Sequence, residues 1–568
     1  MFSSTLFLIQ LTTGLATASA ASLQQWNLLN FTVGGRLHTG TPFSQPCFSS
    51  SAGGVSDGTN ADACAAVQTN YINRLFRSDH FGAYELPQWE TCQATGDECL
   101  LDATNTSNSL AFSPPAQCLQ GSVPNYYIDV AGPNDVKAAY IFSALNQVPL
   151  VIKNTGHDYI GRSAGPGALA LWTHNLKTLV LDKSFVPDGC LIAPTTAVTV
   201  GAGQQFGAIY DFALANNVTV VSGADPSVGA SGGWLMGGGH SALAPAMGLG
   251  VDRVLQFKIV TPDGVYRTVN KCQNKDLFFA LRGGGGGTFG VVLETTHLAS
   301  PAVQLQVVLG LTKYTQGNAT QLVQSLAKIA VQMAADGWGG YITPSAGSAI
   351  WANPLLNSTA AQASAAGVAK AFAAVGGTTT FFVMNSNTEF FETFIASNTA
   401  PVGKPQVVAS RLIPDDKVTD ETLIAAMTGA ILSSDFGEIL AVTPYAFKGH
   451  DIGGTSINPA FRTAVWHGLI GSFWNFDSTL AQRVSAYQAL TKKWAVVRER
   501  TPGAAAYLNE GDVYEPDYTT TYWGSNYPKL LAIKKKYDPF HLLDCWHCVG
   551  WKGTEDPRYK CYPNTNTN

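Results

Sequence analysis

The stretch VIKNTGHDYIGRSAGPG, residues 151–167, is the part of this chain that decides its fold. An apolar run typical of a β-strand ends near Ile152, and the turn after it carries one histidine, His157. Two more glycine-rich segments follow, GASGGWLMGGGHS at 229–241 and LRGGGGGTFG at 281–290. Glycine has no Cβ and accepts positive φ, so it lets the backbone pass close to a bound group. The three segments together predict loops around a large flat ligand or around phosphates.

The residues before the His157 turn predict a strand, a helix and a second strand. Residues 126–130 and 148–153 are strand-like, and residues 136–146 between them have helical spacing. Such a β-α-β unit puts the His157 turn at the carboxyl end of a strand, where ligands of these units bind. From residue 303 the pattern changes to alternating apolar runs mixed with helix-like stretches. That mixture predicts an antiparallel sheet with helices on one face.

Length and composition limit the number of domains and the classes of function that this chain can have. The chain has 568 residues, which is too long for one core, so we expect two or more domains. Apolar residues make up 46% of the chain and charged residues 13%, which indicates a globular protein. The net charge of −5 gives no electrostatic basis for binding nucleic acid or an anionic membrane. After the N-terminus, no stretch reaches the ~18 apolar residues of a membrane span.

The N-terminus indicates secretion. Residues 1–20 combine an apolar core with an Ala-Ser-Ala ending, as signal peptides do, although no Lys or Arg precedes the core. A buried N-terminal helix is the alternative. We expect N-linked glycans and an extracellular location. The candidate glycan acceptors are Asn30, Asn105, Asn217, Asn318 and Asn357.

Ten cysteines support the secreted interpretation. Five of them crowd residues 47–118, so disulfides are expected to staple a region that is short of regular structure. Cys545 and Cys548 form a Cys-x-x-Cys pair, for which a redox or a metal site is the alternative. A metal site would need a second pair of ligands, and only His541 and His547 are near, so we expect no metal.

The motifs carry a family resemblance. NTGHD at 154–158, GGGHS at 237–241 and RGGGGGTFG at 282–290 resemble the flavin-binding segment of the vanillyl-alcohol-oxidase/PCMH superfamily. They are most similar to its berberine-bridge-enzyme-like branch, which includes fungal secreted alcohol oxidases. The tail is a second match, because YLN at 507–509 precedes YWGSN at 522–526 and KKKYDP at 534–539.

The resemblance implies an α+β fold in two parts: a PCMH-type FAD-binding domain and a substrate domain whose antiparallel sheet is covered by helices. The expected division is a signal peptide (1–20), a Cys-rich N-terminal extension (21–121), the FAD-binding domain (122–302), the substrate domain (303–500) and a C-terminal segment (501–568) that returns to the flavin.

It also implies a cofactor site. His157 is expected to bond covalently to the 8α-methyl of FAD. Many relatives add a cysteine, bound to flavin C6, in the pattern Cys-x-x-Val-Gly. Here that spacing reads Asp225-Pro-Ser-Val-Gly229, so attachment through His157 alone is expected. The other residues expected to bind the cofactor are Asn154, Thr155, Gly156, Asp158, Ser163, Gly229, Ser231, Gly232, Gly233, Gly239, His240, Gly290, Val291, Tyr522 and Asn526.

An alcohol oxidase also needs a base for the hydroxyl proton. The resemblance puts Tyr507 first, with simple packing against the flavin as the alternative for this residue. Glu438 on the substrate sheet comes second, and Asp512 lies close to Tyr507 in the sequence. The expected activity is oxidation of an alcohol on a small, secondary-metabolite-like molecule, with O2 reduced to H2O2. A sugar or oligosaccharide oxidase, a flavin-dependent cyclase and a non-catalytic flavin protein are the alternatives.

Overall fold

The computed structural model describes residues 21–51, 54–55, 60–397, 400–447 and 454–565. The expected signal peptide, residues 1–20, lies outside the described residues. Within the described residues, no helix has both the length and the apolar character that crossing a membrane requires.

Residues 21–302 form two of the larger β-sheets. The strands of this region are β1 (Leu37–Thr39), β2 (Ser50–Ser51), β3 (Gly54–Val55), β4 (Tyr126–Asp129), β5 (Leu150–Lys153), β6 (Leu169–Trp172), β7 (Leu179–Phe185), β8 (Thr195–Gly201), β9 (Val218–Thr219), β10 (Val254–Val260), β11 (Tyr266–Asn270), β12 (Val291–Leu298) and β13 (Ser300–Pro301). Strands β2 and β3 form a separate two-stranded sheet, as do β9 and β13. The helices of this region are α1 (Leu23–Thr32), α2 (Ala61–Asn70), α3 (Arg74–Ser78), α4 (Pro133–Asn146), α5 (Phe206–Ala215), α6 (Gly233–Gly237), α7 (Ala244–Met247), α8 (Gly250–Arg253) and α9 (Lys275–Leu281).

The predicted β-α-β unit is present as β4, α4 and β5. Both strands pair in parallel with β6, in the sheet order β1-β4-β6-β5. Helix α4 begins with Pro133, whose fixed φ suits the first helical position, and buries Val136 and Tyr140. The His157 turn follows β5 directly, at the carboxyl end of the strand as predicted.

The second sheet has the order β11-β10-β12-β8-β7, and every pairing in it is antiparallel. The turn Pro262-Asp263-Gly264 joins β10 to β11, and the Asp263 carboxylate accepts a hydrogen bond from the Thr261 hydroxyl at 2.6 Å. The last glycine-rich segment lies between α9 and β12, so it enters the site from the start of a central strand.

Residues 303–500 form the predicted antiparallel sheet with helices on one face. Its strands are β14 (Leu305–Leu311), β15 (Gly339–Thr343), β16 (Ser348–Asn353), β17 (Thr378–Met384), β18 (Gln406–Pro414), β19 (Phe436–Ala441) and β20 (Ala464–Phe473), in the order β17-β14-β16-β15-β19-β20-β18. Its helices are α10 (Gln316–Ala327), α11 (Ala330–Ala335), α12 (Ser358–Ser364), α13 (Ala366–Ala373), α14 (Asn387–Phe390), α15 (Glu421–Leu432) and α16 (Leu480–Arg500). Helices α17 (Tyr518–Trp523) and α18 (Tyr527–Tyr537) belong to the tail.

The apolar patterns of residues 320–335 and 358–375 each predict one helix, and both of these helices are interrupted. The pattern over 320–335 divides into α10 and α11, and that over 358–375 divides into α12 and α13. The two breaks face each other, because a Cβ on Gly367 would lie 3.0 Å from the Ile329 side chain.

The N-terminal and C-terminal segments are tied into the body. Strand β1 extends the first sheet by pairing with β4, so residues 21–121 supply part of that sheet. The cysteines pair as Cys47–Cys64, Cys92–Cys561, Cys99–Cys118, Cys190–Cys272 and Cys545–Cys548. The Cys-x-x-Cys pair at the end of the chain is thus a disulfide between its own two cysteines.

Candidate active site

One large cavity, about 730 Å³ in volume, lies where the glycine loops, the seven-stranded sheet and the tail meet. The loops line it with the His157 turn and with Val228, Gly229, Ser231, Gly232, Gly233 and Trp234. The sheet lines it with side chains from β14, β15, β16, β19 and β20, and the tail adds Tyr507, Asn509 and Glu510. Each of the three regions therefore supplies a different wall.

The His157 turn is held in shape by its own polar side chains. Gly156 has φ +92°, and a Cβ there would approach the backbone of Tyr84 at 3.3 Å, so the position favours glycine. The Asp158 carboxylate accepts hydrogen bonds from the Gly161 amide at 2.9 Å and from the Ser163 amide and hydroxyl at 2.6 and 2.7 Å. Asp158 and Ser163 thus order the loop beside the cavity.

His157 makes a specific contact on one ring nitrogen. Its Nε2 lies 2.7 Å from the Ser227 hydroxyl and 3.7 Å from Asp225 Oδ1. The Ser227 hydroxyl donates in turn to Asp225 Oδ1 at 2.8 Å. Burial lowers the pKa of His157 below its usual value, although the Asp225 charge acts in the opposite direction. The ring therefore favours its neutral form, in which one nitrogen carries a lone pair.

Asn154 and the second glycine loop leave no room for larger side chains. A Cβ on Gly229 would lie 2.1 Å from Asn154 Oδ1, and one on Gly232 would lie 3.2 Å from Asn154 Cγ. Asn154 Oδ1 itself is buried and has no hydrogen-bond partner among the described residues. A Cβ on Gly233 or Gly287 would instead meet nothing within 4 Å. The loops therefore form an open backbone cradle with an unused acceptor at its floor.

The alternation of side chains along each strand decides which residues of the sheet face the cavity. Successive side chains of a strand point to opposite faces, so Val308, Ile342 and Ile439 pack under the helices. Their neighbours Leu309, Tyr341, Glu438 and Leu440 line the cavity. Leu469 lies opposite Glu438 in the β19–β20 register and also lines the cavity.

Glu438 is the titratable group of that wall. Burial raises its pKa to about 7, and the nearby charge of Glu510 acts in the same direction, while a hydrogen bond with Thr343 opposes them. Burial and these two carboxylates also raise the pKa of the Tyr341 phenol. Tyr341 thus keeps its proton and remains a hydrogen-bond donor beside a carboxyl group that titrates near neutrality.

The tail wall holds a carboxylate between two imidazoles. Glu510 Oε1 lies 3.0 Å from His240 Nε2, and Oε2 lies 2.9 Å from His467 Nε2. Burial would raise the pKa of Glu510, but the charge and hydrogen bonds of His240 and His467 outweigh it and hold that pKa well below its usual range. Glu510 therefore stays ionised in the cavity while Glu438 titrates near pH 7.

Tyr507 is fixed by bonds on both sides of its oxygen. Its hydroxyl lies 3.3 Å from the Trp234 carbonyl, to which it donates, and 2.8 Å from the Asn509 amide nitrogen, which donates to it. Burial raises the pKa of Tyr507 strongly, and the Glu510 charge adds to the effect. A phenol in this setting keeps its proton near neutral pH.

Most of the expected site residues meet at the cavity. Those that line it are Asn154, Thr155, Gly156, His157, Asp158, Ser163, Gly229, Ser231, Gly232, Gly233, His240, Gly290, Glu438 and Tyr507.

Five expected site residues lie behind the walls. Val291 is a core residue of β12, and Gly239 packs against Gly250, 3.1 Å from where its Cβ would be. The Asp512 carboxylate pairs with Arg498 at 2.6 Å, and the Tyr522 hydroxyl donates to the Asp512 carbonyl. The Asn526 amide donates to the Ile457 carbonyl at 2.8 Å. These contacts hold the tail in position.

Several cavity residues were not singled out from the sequence. Ser227, Tyr159, Tyr341 and Glu510 line or border the cavity, and His467 lies behind Glu510. The alternation of β15 and β19 could have indicated Tyr341, because it shares a face with Glu438 across the sheet. No local pattern marks His467, since its role depends on the tail returning to β20.

Comparison with known proteins agrees with this geometry. The family profile "FAD binding domain" matches residues 124–270, and "Berberine and berberine like" matches residues 506–544. The chain is 38% identical to the FAD-linked oxidoreductase ffsJ of Aspergillus flavipes, over 95% of this chain and 94% of that protein.

Solved structures agree as well. The VAO-type flavoprotein MtVAO615 of Myceliophthora thermophila C1 has a TM-score of 0.81 at 26% identity, covering 96% of this chain and 98% of its own. Glucooligosaccharide oxidase of Acremonium strictum, described with a 6-S-cysteinyl, 8α-N1-histidyl FAD, has a TM-score of 0.63 at 19% identity, covering 75% of this chain and 91% of its own, which is a likeness of fold. The chain belongs to the berberine-bridge-enzyme-like FAD-linked oxidoreductases of the vanillyl-alcohol-oxidase/PCMH superfamily.

Proposed function

We propose that this protein oxidises an alcohol group on an apolar small molecule, with FAD bound through His157 as its oxidant and O2 as the final acceptor. The observation that carries the proposal is a single cavity that is lined both by His157 with the glycine cradle and by Glu438 of the sheet wall. Alcohol oxidation needs an acceptor for the hydride of the carbon and an acceptor for the proton of the hydroxyl group, both within reach of one substrate.

The residues of the loops fit the cofactor. Gly233 and Gly287 leave open space above the backbone, which suits a flat ring, and the orphaned Asn154 Oδ1 suits a polar group of the cofactor. FAD, when bound, supplies the acceptor for the hydride. His157 is the candidate tether, because burial keeps its imidazole neutral and a neutral imidazole is nucleophilic.

Glu438 is the proton acceptor that we propose, ahead of Tyr507. Tyr507 came first from the resemblance, but its oxygen is hydrogen-bonded to Trp234 and Asn509 and its raised pKa holds the proton. The pKa of Glu438 is about 7, which is close to the best value for a base working near neutral pH. Tyr341, which remains protonated, is suited to orient the substrate oxygen by donating a hydrogen bond to it.

The sheet wall favours an apolar substrate over a sugar. Leu309, Leu311, Phe436, Leu440 and Leu469 line it with hydrocarbon. A sugar carries a hydroxyl on most of its carbons, and each buried hydroxyl without a partner costs about 1–3 kcal/mol. A carbohydrate oxidase remains the second candidate, since Tyr159 and Tyr341 bring phenol donors to the cavity and the fold is shared with glucooligosaccharide oxidase.

The first experiment denatures the purified protein in acid and records the visible spectrum of the washed precipitate. A yellow precipitate that becomes colourless in His157→Ala supports the tether, and FAD released into the supernatant of the wild type contradicts it. Hydrogen peroxide is then measured against matched panels of apolar alcohols and oligosaccharides. Peroxide only with the oligosaccharides would replace the proposed substrate class with the second candidate, and analysis of the products identifies a ring-closing reaction.

The setting that we propose is extracellular. The disulfides are consistent with an oxidising compartment. Of the candidate glycan acceptors, Asn105, Asn217 and Asn357 have exposed side chains. Asn30 and Asn318 are half-buried, and the amide nitrogen of Asn318 donates to the Lys313 carbonyl at 3.3 Å. We therefore propose glycans first at the three exposed positions.

A further inference from the structure

We propose that Asp225 and Ser227 are positioning residues that prepare His157 for its bond to the flavin, through a relay that runs from the ring to Ser227 and then to Asp225. The inference rests on the proposed covalent attachment through His157. It concerns how this chain makes that attachment in the absence of the cysteine that relatives carry at the Asp225 position.

The donors and acceptors on His157, Ser227 and Asp225 set the direction of each hydrogen bond in the relay. The Ser227 hydroxyl has one hydrogen, and its partner Asp225 Oδ1, at 2.8 Å, belongs to an acceptor group. Asp225 is also ion-paired with Arg74. The hydroxyl hydrogen therefore points to Asp225, and the hydroxyl oxygen accepts from His157 Nε2 at 2.7 Å.

That direction sets the tautomer of His157. When Nε2 carries the hydrogen, the lone pair of the neutral ring lies on Nδ1. Nδ1 is then the nucleophilic atom, on a side chain that lines the cavity and is 19% exposed. Without the relay the ring is free to populate both tautomers and to rotate, and only part of the population has the right atom available.

Ser227 is itself held firmly. It is fully buried, its amide donates to Asp225 Oδ1 at 2.8 Å, and its carbonyl accepts from the Gln205 side chain at 2.9 Å. Gln205 also donates to the Ser78 hydroxyl at 2.9 Å. A serine with both main-chain groups bonded cannot swing away, so its hydroxyl is a fixed partner for the ring.

The relay also provides a path for the Nε2 proton that His157 loses on attachment. Attachment breaks one C–H bond at the flavin 8α carbon and the Nε2–H bond of His157, and it forms one C–N bond between Nδ1 and that carbon. The two electrons released would reduce the flavin and pass from it to O2. The H2O2 formed takes up two protons in net, which balance the proton lost from the 8α carbon and the proton lost from His157. The Nε2 proton leaves along the bond to Ser227, toward the Asp225 carboxylate.

The relay stands where relatives have a second tether. In the pattern Cys-x-x-Val-Gly, residue 225 holds the position of the cysteine, and residue 227 is two places further along. Glucooligosaccharide oxidase is described with both a 6-S-cysteinyl and a histidyl bond. In this chain the same short segment, residues 225–227, instead holds the His157 ring through the hydrogen bond between Ser227 and Nε2.

The test follows the formation of the covalent bond itself. The full-length protein is produced under riboflavin limitation and supplied with FAD, and samples are quenched in acid over time. The readouts are colour in the washed precipitate and an intact mass increased by one FAD, with total bound FAD measured separately before the quench. The proteins compared are the wild type, Ser227→Ala, Ser227→Thr, Asp225→Asn, His157→Ala and Ser222→Ala.

We expect Ser227→Ala to slow covalent incorporation about tenfold, the loss that one charge-assisted hydrogen bond represents, while the bound FAD is unchanged. Asp225→Asn is expected to slow it as well, and Ser227→Thr, which keeps the hydroxyl, is expected to restore it. Ser222→Ala is the matched control, because Ser222 is equally buried in the same segment but donates to the Val220 carbonyl at 3.1 Å.

The outcomes separate the two proposals. If the wild type binds FAD but never forms the bond, the tether and the relay are both overturned. If the wild type forms the bond and Ser227→Ala forms it at the same rate, or Ser227→Thr is as slow as Ser227→Ala, the relay alone is overturned. A slow Ser227→Ala protein beside a normal Ser222→Ala protein supports the relay.

Discussion

Two of the three walls of the cavity, the loop wall and the sheet wall, are built in opposite ways. The loop wall presents mostly backbone, because Gly229 and Gly232 leave no space for a Cβ while Gly233 and Gly287 open onto the cavity. The sheet wall presents side chains, and its strand backbone is already paired within the sheet. At Gly229 and Gly232 the loop wall therefore tolerates almost no added atoms, whereas the sheet wall can change its chemistry one residue at a time. A family that keeps one cofactor and varies its substrates is well served by this division.

The largest effect is expected from the sheet wall. Glu438→Gln removes the proposed base, and we expect kcat to fall about 100- to 10,000-fold, the range that general base catalysis contributes. Because the pKa of Glu438 is raised to about 7, the carboxylate forms as the pH rises through about 7, so wild-type activity should rise there and be lost below it. In the variant that rise should be absent. Steady-state kinetics from pH 5 to 9 measure both effects.

Glu421→Gln is the control for that prediction. Glu421 is exposed on α15, and its carboxylate lies 3.9 Å from Lys328 Nζ. It should keep the activity and the pH profile of the wild type. A Glu438→Gln protein that retained the rise near pH 7 would move the titrating base elsewhere in the cavity.

A single added carbon should be enough to disrupt the loop wall. Gly229→Ala puts a methyl group 2.1 Å from Asn154 Oδ1, and accommodating it should cost about 1–3 kcal/mol and displace the cradle. We expect the bound FAD to fall at least about fivefold. Gly429→Ala is the matched control, because Gly429 lies within α15 with nothing within 4 Å of its added Cβ.

In the control, the free energy of unfolding should rise by about 0.5–1 kcal/mol, since alanine favours helix more than glycine does. Flavin absorbance per protein and chemical unfolding measure the two quantities. Normal FAD content in Gly229→Ala would show that the loop wall is less confined than its geometry indicates.

A smaller effect tests the apolar character of the sheet wall. Leu440→Asn keeps the approximate size of the side chain but makes it polar, and we expect kcat/KM for an apolar alcohol to fall about tenfold. Leu355→Asn, at a residue that is 60% exposed and away from the cavity, should change nothing. Equal values for Leu440→Asn and the wild type would argue against an apolar substrate wall.

The smallest effect is expected outside both walls. Thr359→Ala removes the glycan signal at Asn357 and keeps the asparagine, whose side chain caps α12 through the Ala360 amide at 2.9 Å. The protein should lose one glycan by mass, while the free energy of unfolding stays within about 0.5 kcal/mol of the wild type. An unchanged mass would remove Asn357 from the proposed glycan sites.

The same division explains how far sequence could lead. The loop wall is encoded locally, because a histidine turn and glycines at fixed spacing are visible in the chain, and most residues expected there line the cavity. The sheet wall could be predicted as a sheet, but which face meets the flavin depends on packing between distant segments. Glu438 was found through the resemblance, whereas Tyr341 required the strand register.

The tail was the hardest part to interpret from sequence. Its motif indicated that residues 507–526 approach the flavin, but not which side chains point inward. In the structure, Glu510 enters the cavity while Asp512 pairs with Arg498 behind it. Glu510 and Asp512 are only two positions apart, yet the first is a cavity group and the second is structural. That outcome depends on His240 and His467, which are brought from two other segments.

The disulfide between Cys92 and Cys561 joins residues that are 469 positions apart. Glu510 and Tyr507 belong to the same late segment, so they are synthesised after both other walls of the cavity. During synthesis the residues of the flavin cradle and of the substrate sheet therefore leave the ribosome before those of the tail wall. The cavity can therefore be completed only after the C-terminal segment has been synthesised, and the Cys92–Cys561 disulfide then links that segment to the N-terminal extension.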